Sequence, residues 1–415
     1  MPETWKTYKL GDIADVQNGY AFKSKELGEN GIPVIKIKNI SPPNVVLEGA
    51  GYYTGELNSK LEKYILKKHD FLISMTGSTV NVMSSAVGKM GRYRLDDIAL
   101  LNQRAGKIYI TDKEKADFDY VCHFLNRYEV HYNLALNATG SANQANISPA
   151  QIKNIEVLLP PLEEQKSIAS ILSALDDKIE LNLQMNKTLE EMAMALYKHW
   201  FVDFGPFQDG EYVDSELGEI PKGWEVKQLK DFALLIMGQS PKSEFYNDNK
   251  EGLPFHQGVK DYGIRFPTDI TYSTAGNREA EKGDILFSVR APVGRLNVAK
   301  NKIILGRGLA AIRMSKFNSF LFYALKRMFT TEDSIGSGTV FNSVNKSDLQ
   351  NLRFVLPPEK QLINFTNLVD PLDQQYLNNS IENQTLTQLR DTLLPKLISG
   401  EVRVKDAEKT LTEVL

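Results

Sequence analysis

The sequence has few of the residues that build redox, metal or membrane sites. Cys122 is the only cysteine among 415 residues, which excludes an internal disulfide and any multi-cysteine zinc or iron–sulfur centre. A lone cysteine is typical of a small buried position in a protein of the reducing cytoplasm. No run approaches the ~20 consecutive apolar residues of a membrane helix, and the first residues lack the basic and apolar regions of a signal peptide. We therefore expect a cytoplasmic chain with no membrane contact.

The motifs of common enzymes are missing as well. The sequence contains no Gly-x-x-x-x-Gly-Lys-Ser/Thr phosphate loop, no Gly-x-Gly-x-x-Gly fingerprint and no Gly-x-Ser-x-Gly nucleophile elbow. Its five histidines include no His-Glu-x-x-His pair, which is the spacing that zinc hydrolases use. We therefore predict no catalytic residue, no metal site and no cofactor bound by this chain.

Charge of both signs is present, but it is unevenly distributed. The net charge is -3, from 49 basic and 52 acidic residues. Residues 1–160 and 205–358 each carry two more basic than acidic residues, whereas residues 161–204 and 359–415 carry an acidic excess of four and three. Basic blocks favour a polyanionic partner and acidic blocks do not, so the alternation predicts two kinds of binding surface.

The chain is an internal duplication. The sequence Leu-Gly-Asp-Ile-Ala at 10–14 reappears as Leu-Lys-Asp-Phe-Ala at 229–233, and residues 154–161 reappear in similar form at 351–358. A period of about 200 residues predicts two copies of a domain with its connector. Short β-like runs between Gly, Pro and Asn indicate that each copy is α+β. The predicted segments are a first domain (1–160), a first helical spacer (161–204), a linker with a second domain (205–358), a second helical spacer (359–400) and a C-terminal tail (401–415).

A long helical pattern follows the Pro-Pro pair that ends each copy. Its apolar residues and asparagines recur at alternating spacings of three and four over roughly four heptads, which indicates that the two helices pack on each other as a coiled coil. The seam positions are Leu172, Leu175, Ile179, Asn182, Asn186 and Leu189 in the first copy and Val369, Leu372, Tyr376, Asn379, Asn383 and Leu386 in the second. Asparagine at matching positions predicts a buried contact that sets the register. The alternative is that each helix packs on its own domain. Pro371 predicts a kink or a late start of the second helix.

Two segments exclude acidic residues. Residues 285–327 contain nine Lys or Arg and no Asp or Glu, and residues 71–95 contain three Lys or Arg and no acid. A stretch that keeps cations and excludes anions fits a face that meets a polyanion such as nucleic acid. The alternative is a solvated surface whose counter-charges lie elsewhere in the fold.

Amide, hydroxyl and basic side chains lie on Gly-rich turns in and around these segments. Asn and Gln pair with adenine, and Arg pairs with guanine, in the major groove of DNA. The candidate DNA-binding residues are Thr76, Ser78, Asn81, Lys89, Arg92, Arg94, Gln103, Arg104, Asn143, Gln144, Arg290, Arg295, Lys300, Lys302, Arg307 and Asn342. Matched places carry different side chains, for example Thr76 against Arg290, so the two copies are predicted to recognise two different short sequences.

Four motifs give the chain a family resemblance. They are Leu-Leu-Pro-Pro-Leu-Glu-Glu-Gln-Lys-Ser-Ile-Ala at 158–169, Leu-Tyr-Lys-His-Trp-Phe-Val-Asp-Phe at 196–204, Leu-Gly-Glu-Ile-Pro-Lys-Gly-Trp at 217–224 and Leu-Pro-Lys-Leu-Ile-Ser-Gly-Glu-Val at 394–402. With this arrangement, essentially the whole chain resembles the specificity (S) subunit of type I restriction–modification systems.

The resemblance implies an α+β fold in which two similar α/β target recognition domains are joined by two long antiparallel helices, which form a coiled-coil spacer with a pseudo-two-fold repeat. It implies that each domain reads one half of a bipartite site in double-stranded DNA. The spacer would dock two methyltransferase subunits, and restriction subunits would join the full complex. The chain itself would be non-catalytic, with S-adenosylmethionine, ATP and Mg expected on the partner subunits. The residues alone leave open a scaffold that bridges two partner proteins without DNA readout.

Overall fold

The computed structural model describes residues 4–141, 144–329, 334–335, 339–340, 343–407 and 409. The chain divides into two compact units, of which one is Met1–Leu181 with Glu382–Leu415 and the other is Asn182–Ile381. The division passes through both long helices. Each unit therefore contains one globular domain and one part of each long helix.

Two helices are much longer than the others. The α-helices of the described residues are α1 Ser59–Glu62, α2 Phe118–Leu125, α3 Tyr128–Leu136, α4 Pro149–Lys153, α5 Leu162–Phe201, α6 Leu229–Phe232, α7 Asn318–Met328, α8 Lys346–Gln350 and α9 Glu359–Ser399. Helices α5 and α9 have 40 and 41 residues. Each begins directly after a Pro-Pro pair, because proline suits a helix start, where its missing N–H is not needed.

The first domain is built around a six-stranded and a five-stranded sheet. Its strands are Lys6–Lys9, Ala14–Asn18, Leu27–Gly28, Ile32–Ile35, Ile40–Ser41, Asn44–Val45, Gly51–Tyr53, Ile65–Leu66, Phe71–Ser74, Thr76–Gly77, Met90–Arg92, Ala99–Leu101, Ala105–Ile110, Thr139–Ser141, Gln144–Asn146 and Glu156–Leu159. The strand Phe71–Ser74 lies inside the larger sheet, antiparallel to Ala105–Ile110 and Met90–Arg92. All four of its residues are buried, and for this reason the apolar run Phe71–Ile73 shows no alternation before the buried polar Ser74.

The second domain repeats this plan with a four-stranded and a five-stranded sheet. Its strands are Tyr212–Ser215, Gly218–Pro221, Glu225–Gln228, Leu234–Met237, Tyr246–Asn247, Leu253–His256, Tyr272–Ser273, Glu279–Ala280, Ile285–Ser288, Leu296–Val298, Ile303–Leu305, Leu309–Arg313, Ser334–Ile335, Thr339–Val340 and Arg353–Leu356. The buried strand Ile285–Ser288 pairs antiparallel with Leu309–Arg313 and Leu296–Val298. It corresponds to the central strand Phe71–Ser74 of the first domain.

Each domain is closed by a pairing of its last strand with a strand near its beginning. Lys6–Lys9 pairs antiparallel with Glu156–Leu159, and Glu225–Gln228 pairs antiparallel with Arg353–Leu356. The chain thus enters and leaves each domain at the same place. The long helix of each copy begins at that place.

In the first unit, the beginning of α5 and the end of α9 run antiparallel. Nδ2 of Asn383 donates to the Ile179 carbonyl (3.1 Å), and Nη1 of Arg390 donates to Asp176 (2.9 Å). Leucines of both helices belong to one apolar cluster with residues of the first domain. The helix ends therefore pack on each other and on the domain at the same time.

The second unit has the same antiparallel arrangement for the end of α5 and the beginning of α9. Two seam asparagines meet here, because Nδ2 of Asn379 donates to Oδ1 of Asn186 (2.9 Å) and both side chains are buried. Phe365 of α9 packs on Tyr197 and Phe201 of α5 inside the core of the second domain. All twelve seam positions are buried or half-buried. Within each unit the helices pack on each other and on the globular domain, so both packing alternatives given by the sequence occur.

Three segments differ in detail from their expected character. Helix α9 begins at Glu359 and continues through Pro371, so the predicted late start is wrong. The segment 205–223 contains a β-hairpin of Tyr212–Ser215 and Gly218–Pro221. In the segment after α9, Ala407 is fully buried in the core of the first unit.

Candidate nucleic-acid interface

Several loops of the first domain meet at the end of its central strand. The amide of Met75 donates to the Arg104 carbonyl (2.9 Å), and the amide of Ile147 donates to the Met75 carbonyl (3.1 Å). These bonds bring the turn at 102–104, the loop after Met75 and the hairpin around Gln144 together. Exposed or half-buried polar side chains follow this edge, and we call them the first polar edge: Ser78, Gln103, Arg104 and Gln144.

The second domain forms the same junction with different residues. The amide of Val289 donates to the Gly308 carbonyl (2.9 Å), and the amide of Val344 donates to the Val289 carbonyl (3.0 Å). These bonds correspond one for one to those at Met75 in the first domain. The polar side chains exposed here form the second polar edge: Gln257, Arg290 and Arg307.

A matched glycine supports each polar edge. A Cβ at Gly19 would lie 2.2 Å from the Asn102 carbonyl oxygen, and a Cβ at Gly238 would lie 2.1 Å from the Gly306 carbonyl oxygen. Any side chain at these positions would push the neighbouring turn away, so only glycine allows the close approach. The turns are those that present Gln103 in one domain and Arg307 in the other, and the scaffold is therefore shared by both copies while the side chains differ.

Two predicted cations of the first copy have structural partners. Arg92 is buried, and its Nη2 lies 2.7 Å from Asp119. Nη1 of Arg94 donates to Asp177 of α5 (2.6 Å), and Nε donates to Asn44 (3.1 Å). These guanidinium groups hold the domain together and to its helix, and their predicted contact with DNA stays a prediction.

In the second copy, acidic residues outside the acid-free segment neutralise part of its charge. Lys302 lies 2.6 Å from Glu279, and Arg313 forms two hydrogen bonds with Asp284. The sequence alternative of counter-charges elsewhere in the fold thus applies to these cations. Arg290 and Arg307 are exposed, and in the described part of the chain no acidic group forms an ion pair with either of them.

The remaining candidates occupy different environments. Thr76 is buried, with its hydroxyl donating to Oδ1 of Asn146 (3.0 Å), whereas Asn81 is exposed. Lys89, Arg295 and Lys300 are half-buried. Asn143 and Asn342 lie outside the described residues. Gln257 was missed in the sequence, because its place beside Arg307 depends on a bond from the Gly308 amide to its carbonyl (3.0 Å) across 51 residues of chain.

In the first unit, α2 contacts α5 through a neutral histidine. Nε2 of His123 lies 3.1 Å from the Ser173 hydroxyl, and Nδ1 lies 3.9 Å from Asp176. Burial lowers the pKa of His123 from 6.5 to about 4, and the Asp176 carboxylate opposes this shift only in part. The imidazole is therefore uncharged at neutral pH.

This burial predicts a pH-dependent stability. Because the folded pKa lies below the unfolded value of 6.5, the unfolded chain binds the proton first. The stabilising contribution is complete above pH 6.5 and is lost as the pH falls towards 4, at a cost of about 3 kcal/mol. Urea unfolding at pH 7, 5.5 and 4 should show a steeper loss for the wild type than for His123→Gln. Parallel losses in the two proteins would contradict the assignment.

No helix among the described residues combines the length and the apolar character needed to cross a membrane. In the same part of the chain, no three His, Cys, Asp or Glu side chains are grouped closely enough to hold a metal ion.

Comparison with known proteins gives consistent matches along nearly the whole chain. The family model described as "Type I restriction modification DNA specificity domain" matches residues 2–191 and 221–390. The putative type I restriction enzyme MjaX specificity subunit of Methanocaldococcus jannaschii is 31% identical over 98% of this chain and 95% of its own length. The HindI specificity subunit of Haemophilus influenzae is 27% identical over 96% of this chain and 99% of its own length.

A solved structure shows the same fold. The crystal structure of a type I restriction–modification S subunit from M. genitalium has a TM-score of 0.58 with 17% identity, covering 96% of this chain and 97% of that one. The predicted fold class, with two repeated domains and two long helices, is confirmed.

Proposed function

Because this chain belongs to the type I restriction–modification DNA specificity family, we propose that it is the DNA-recognition subunit of a type I restriction–modification complex and that each domain reads one half of a bipartite site. The supporting observation is the pair of polar edges. Equivalent backbone bonds hold both edges, yet one carries Gln103 where the other carries Arg307. One scaffold with two sets of side chains fits a reader of two different half-sites.

The exposed side chains suit the two tasks of a DNA-binding domain. Guanidinium groups such as Arg290 and Arg307 form bidentate contacts with guanine or bind phosphate, and amides such as Gln103, Gln144 and Gln257 pair with adenine. Phosphate contacts position the domain, and base contacts select the sequence. We propose that the first and second polar edges face the major groove in this way.

We further propose that the long helices dock two methyltransferase subunits. Apolar side chains are exposed on both helices of the second unit, with Met192 of α5 at 49% and Leu368 of α9 at 49% exposed. Together with the acidic excess of the helical segments, this surface is suited to a protein and not to DNA. On this proposal the partner subunits carry S-adenosylmethionine, ATP and Mg, the restriction subunits join the same complex, and this chain contributes recognition.

A DNA-binding measurement tests the proposed function. The chain is mixed with its methyltransferase subunit, and gel-shift titrations with genomic fragments are made at 50, 100 and 200 mM salt. We expect affinity to fall steeply with salt, because bound phosphates release counterions. Sequencing of methylated bases from the same complex should return a motif of two short half-sites separated by unread positions.

The competing function is a scaffold that bridges two partner proteins without reading DNA. It predicts that the methyltransferase complex assembles normally but binds all fragments equally and yields no bipartite motif. That result would refute DNA recognition by this chain, and the assembly itself would remain measurable by size-exclusion chromatography.

A further inference from the structure

Each long helix places one aspartate at the same position of the repeat. Asp176 of α5 and Asp373 of α9 are 197 residues apart, which is the offset that relates residues 154–161 to residues 351–358. Each carboxylate lies in the same unit as the domain that precedes its helix and faces a cation of that domain. The repeat thus puts a negative charge at both joints between a recognition domain and its helix.

In the second unit, three donors lie within hydrogen-bond distance of Asp373. Its Oδ1 accepts from Nη2 of Arg265 (2.7 Å) and from the Tyr323 hydroxyl (2.7 Å). The Ser319 hydroxyl lies 2.7 Å from Oδ2 and also 2.7 Å from Asp370, so its single proton is shared between the two carboxylates. Nη1 of Arg265 also donates to the Tyr323 oxygen (3.0 Å). Donors from two parts of the domain therefore converge on one carboxylate, and charge-assisted hydrogen bonds of this kind are short and directional.

Arg265 is the central cation of this joint. It is only 5% exposed, and its guanidinium lies over the rings of Phe322 (4.3 Å) and Tyr376 (5.0 Å). Glu190 of α5 lies 3.8 Å from its Nη1. A buried guanidinium is stable only with paired charge, so a single domain side chain is held by both long helices.

The first unit contains a corresponding joint. Asp176 lies between two guanidinium groups, with Nη1 of Arg390 at 2.9 Å and Nη2 of Arg94 at 3.9 Å. Arg94, which belongs to the first domain, also forms an ion pair with Asp177 at 2.6 Å. In both units a cation of the domain is thus held by carboxylates of the long helix that follows that domain.

The joint in the second unit is connected through the backbone to the second polar edge. Arg265 lies in the segment that follows strand Leu253–His256, and this segment begins with Gln257. The Gln257 carbonyl accepts a hydrogen bond from the Gly308 amide (3.0 Å), directly beside Arg307. The segment that carries Arg265 is thus the same segment that supports the second polar edge.

We propose that Asp176 and Asp373 are positioning residues, which fix each recognition domain on the paired helices and thereby determine which gap between half-sites the complex accepts. The inference rests on the proposed function, because a gap exists only in a bipartite site. Apolar contacts are non-directional and tolerate small rotations, whereas the directional bonds from Arg265 and Tyr323 to one carboxylate favour a single orientation. Loss of the charge should widen the range of gaps without changing the bases that are read.

The test uses the complete complex with its methyltransferase subunits. Sequencing of methylated bases defines the wild-type half-sites and gap. Methylation rates are then measured on duplexes that keep both half-sites and vary the gap from two base pairs shorter to two longer. For Asp373→Asn we expect about a tenfold lower rate at the native gap and at least a tenfold gain, relative to wild type, at gaps one base pair shorter or longer. Asp176→Asn should give a smaller change of the same kind, because Asp176 lies 3.9 Å from Arg94 and the carboxylate of Asp177 holds the same guanidinium at 2.6 Å.

Matched variants separate positioning from a general structural role. Tyr323→Phe keeps the ring and removes one hydrogen bond to Asp373. We therefore expect the methylation rate to fall at the native gap and rise at neighbouring gaps, by less than in Asp373→Asn. Glu219→Gln, exposed in the strand Gly218–Pro221 and outside both long helices, should leave the gap profile unchanged. A uniform fall at all gaps, or unchanged profiles in Asp373→Asn and Tyr323→Phe, would overturn the proposal. If Asp373→Asn does not fold, the profile of Tyr323→Phe decides. A wild-type complex without any bipartite motif would instead refute the proposed function.

Discussion

Replacing Arg290 and Arg307 together by alanine should lower the DNA affinity of the methyltransferase complex by about 100- to 1000-fold. Both side chains are exposed on the second polar edge. A good bidentate interaction between Arg and guanine contributes about 1–3 kcal/mol. Removal of two such interactions therefore produces an effect of this size, and gel-shift titration at fixed salt measures it.

The same double variant distinguishes base contacts from phosphate contacts. If the two arginines read bases, methylation should become less selective at one half-site while the other half-site keeps its sequence. If they bind phosphates, all fragments should be weakened alike, and the slope of log affinity against log salt should fall by about one per arginine. Single variants assign the role of each residue separately.

Lys302→Ala is the matched control for this experiment. Lys302 belongs to the same acid-free segment, but its ammonium is already paired with Glu279 at 2.6 Å. Its removal should change the affinity by less than about threefold, because an exposed ion pair contributes little. Wild-type affinity and specificity in the Arg290 and Arg307 double variant would show that the second polar edge does not contact DNA.

Inserting four residues into both long helices should lengthen the accepted gap by one base pair and abolish methylation of the original site. The insertions go between Leu181 and Asn182 in α5 and between Ile381 and Glu382 in α9, where the chain passes from one unit to the other. Both half-site sequences should remain unchanged, because the polar edges are untouched. Sequencing of methylated bases reports the gap and the half-sites in one measurement.

The expected step of one base pair follows from helix geometry. Four α-helical residues add about 6 Å of length and turn the helix by about 40° beyond one full turn. One base pair adds about 3.4 Å and turns DNA by about 35°. The rotation of the protein insertion thus matches that of one base pair, whereas the added length equals nearly two, so the expected step of one base pair rests on the rotation. Longer insertions that keep the coiled-coil register do not produce a rotation that matches one base pair.

The insertion must be made in both helices because they pair within each unit. The bond from Asn383 to Ile179 lies on one side of the insertion points, and the contact of Asn186 with Asn379 lies on the other. An insertion in α5 alone shifts one set of partners against the other and should lower stability and activity together. Altered half-site bases with an unchanged gap in the double insertion would contradict the role of the helices in spacing.

The sequence by itself was sufficient to predict the repeat, the two long helices and the seam along which the helices pack. These features depend on short-range periodicity, and the spacing of three and four that marks Leu172, Asn186 and Asn379 survives in any tertiary context that pairs the helices. Matching glycines and buried apolar strands in the two copies also report local backbone requirements. The family motifs lie in these same regions, which explains why they could be read directly from the chain.

Only the tertiary structure decided which cations are exposed and which are buried beside counter-charges. Arg92 and Arg290 both stand in acid-free segments, yet Arg92 is buried beside Asp119 and Arg290 is exposed. Counter-charges and hydrogen-bond partners come from residues far away in the chain, and the net charge of a segment does not record them. Asp373 and Arg265, which form the joint, are 108 residues apart in the chain. Because of this separation, the joint could not be predicted from the sequence. Periodicity therefore specified the framework, and long-range folding determined which of its charges remain free to act.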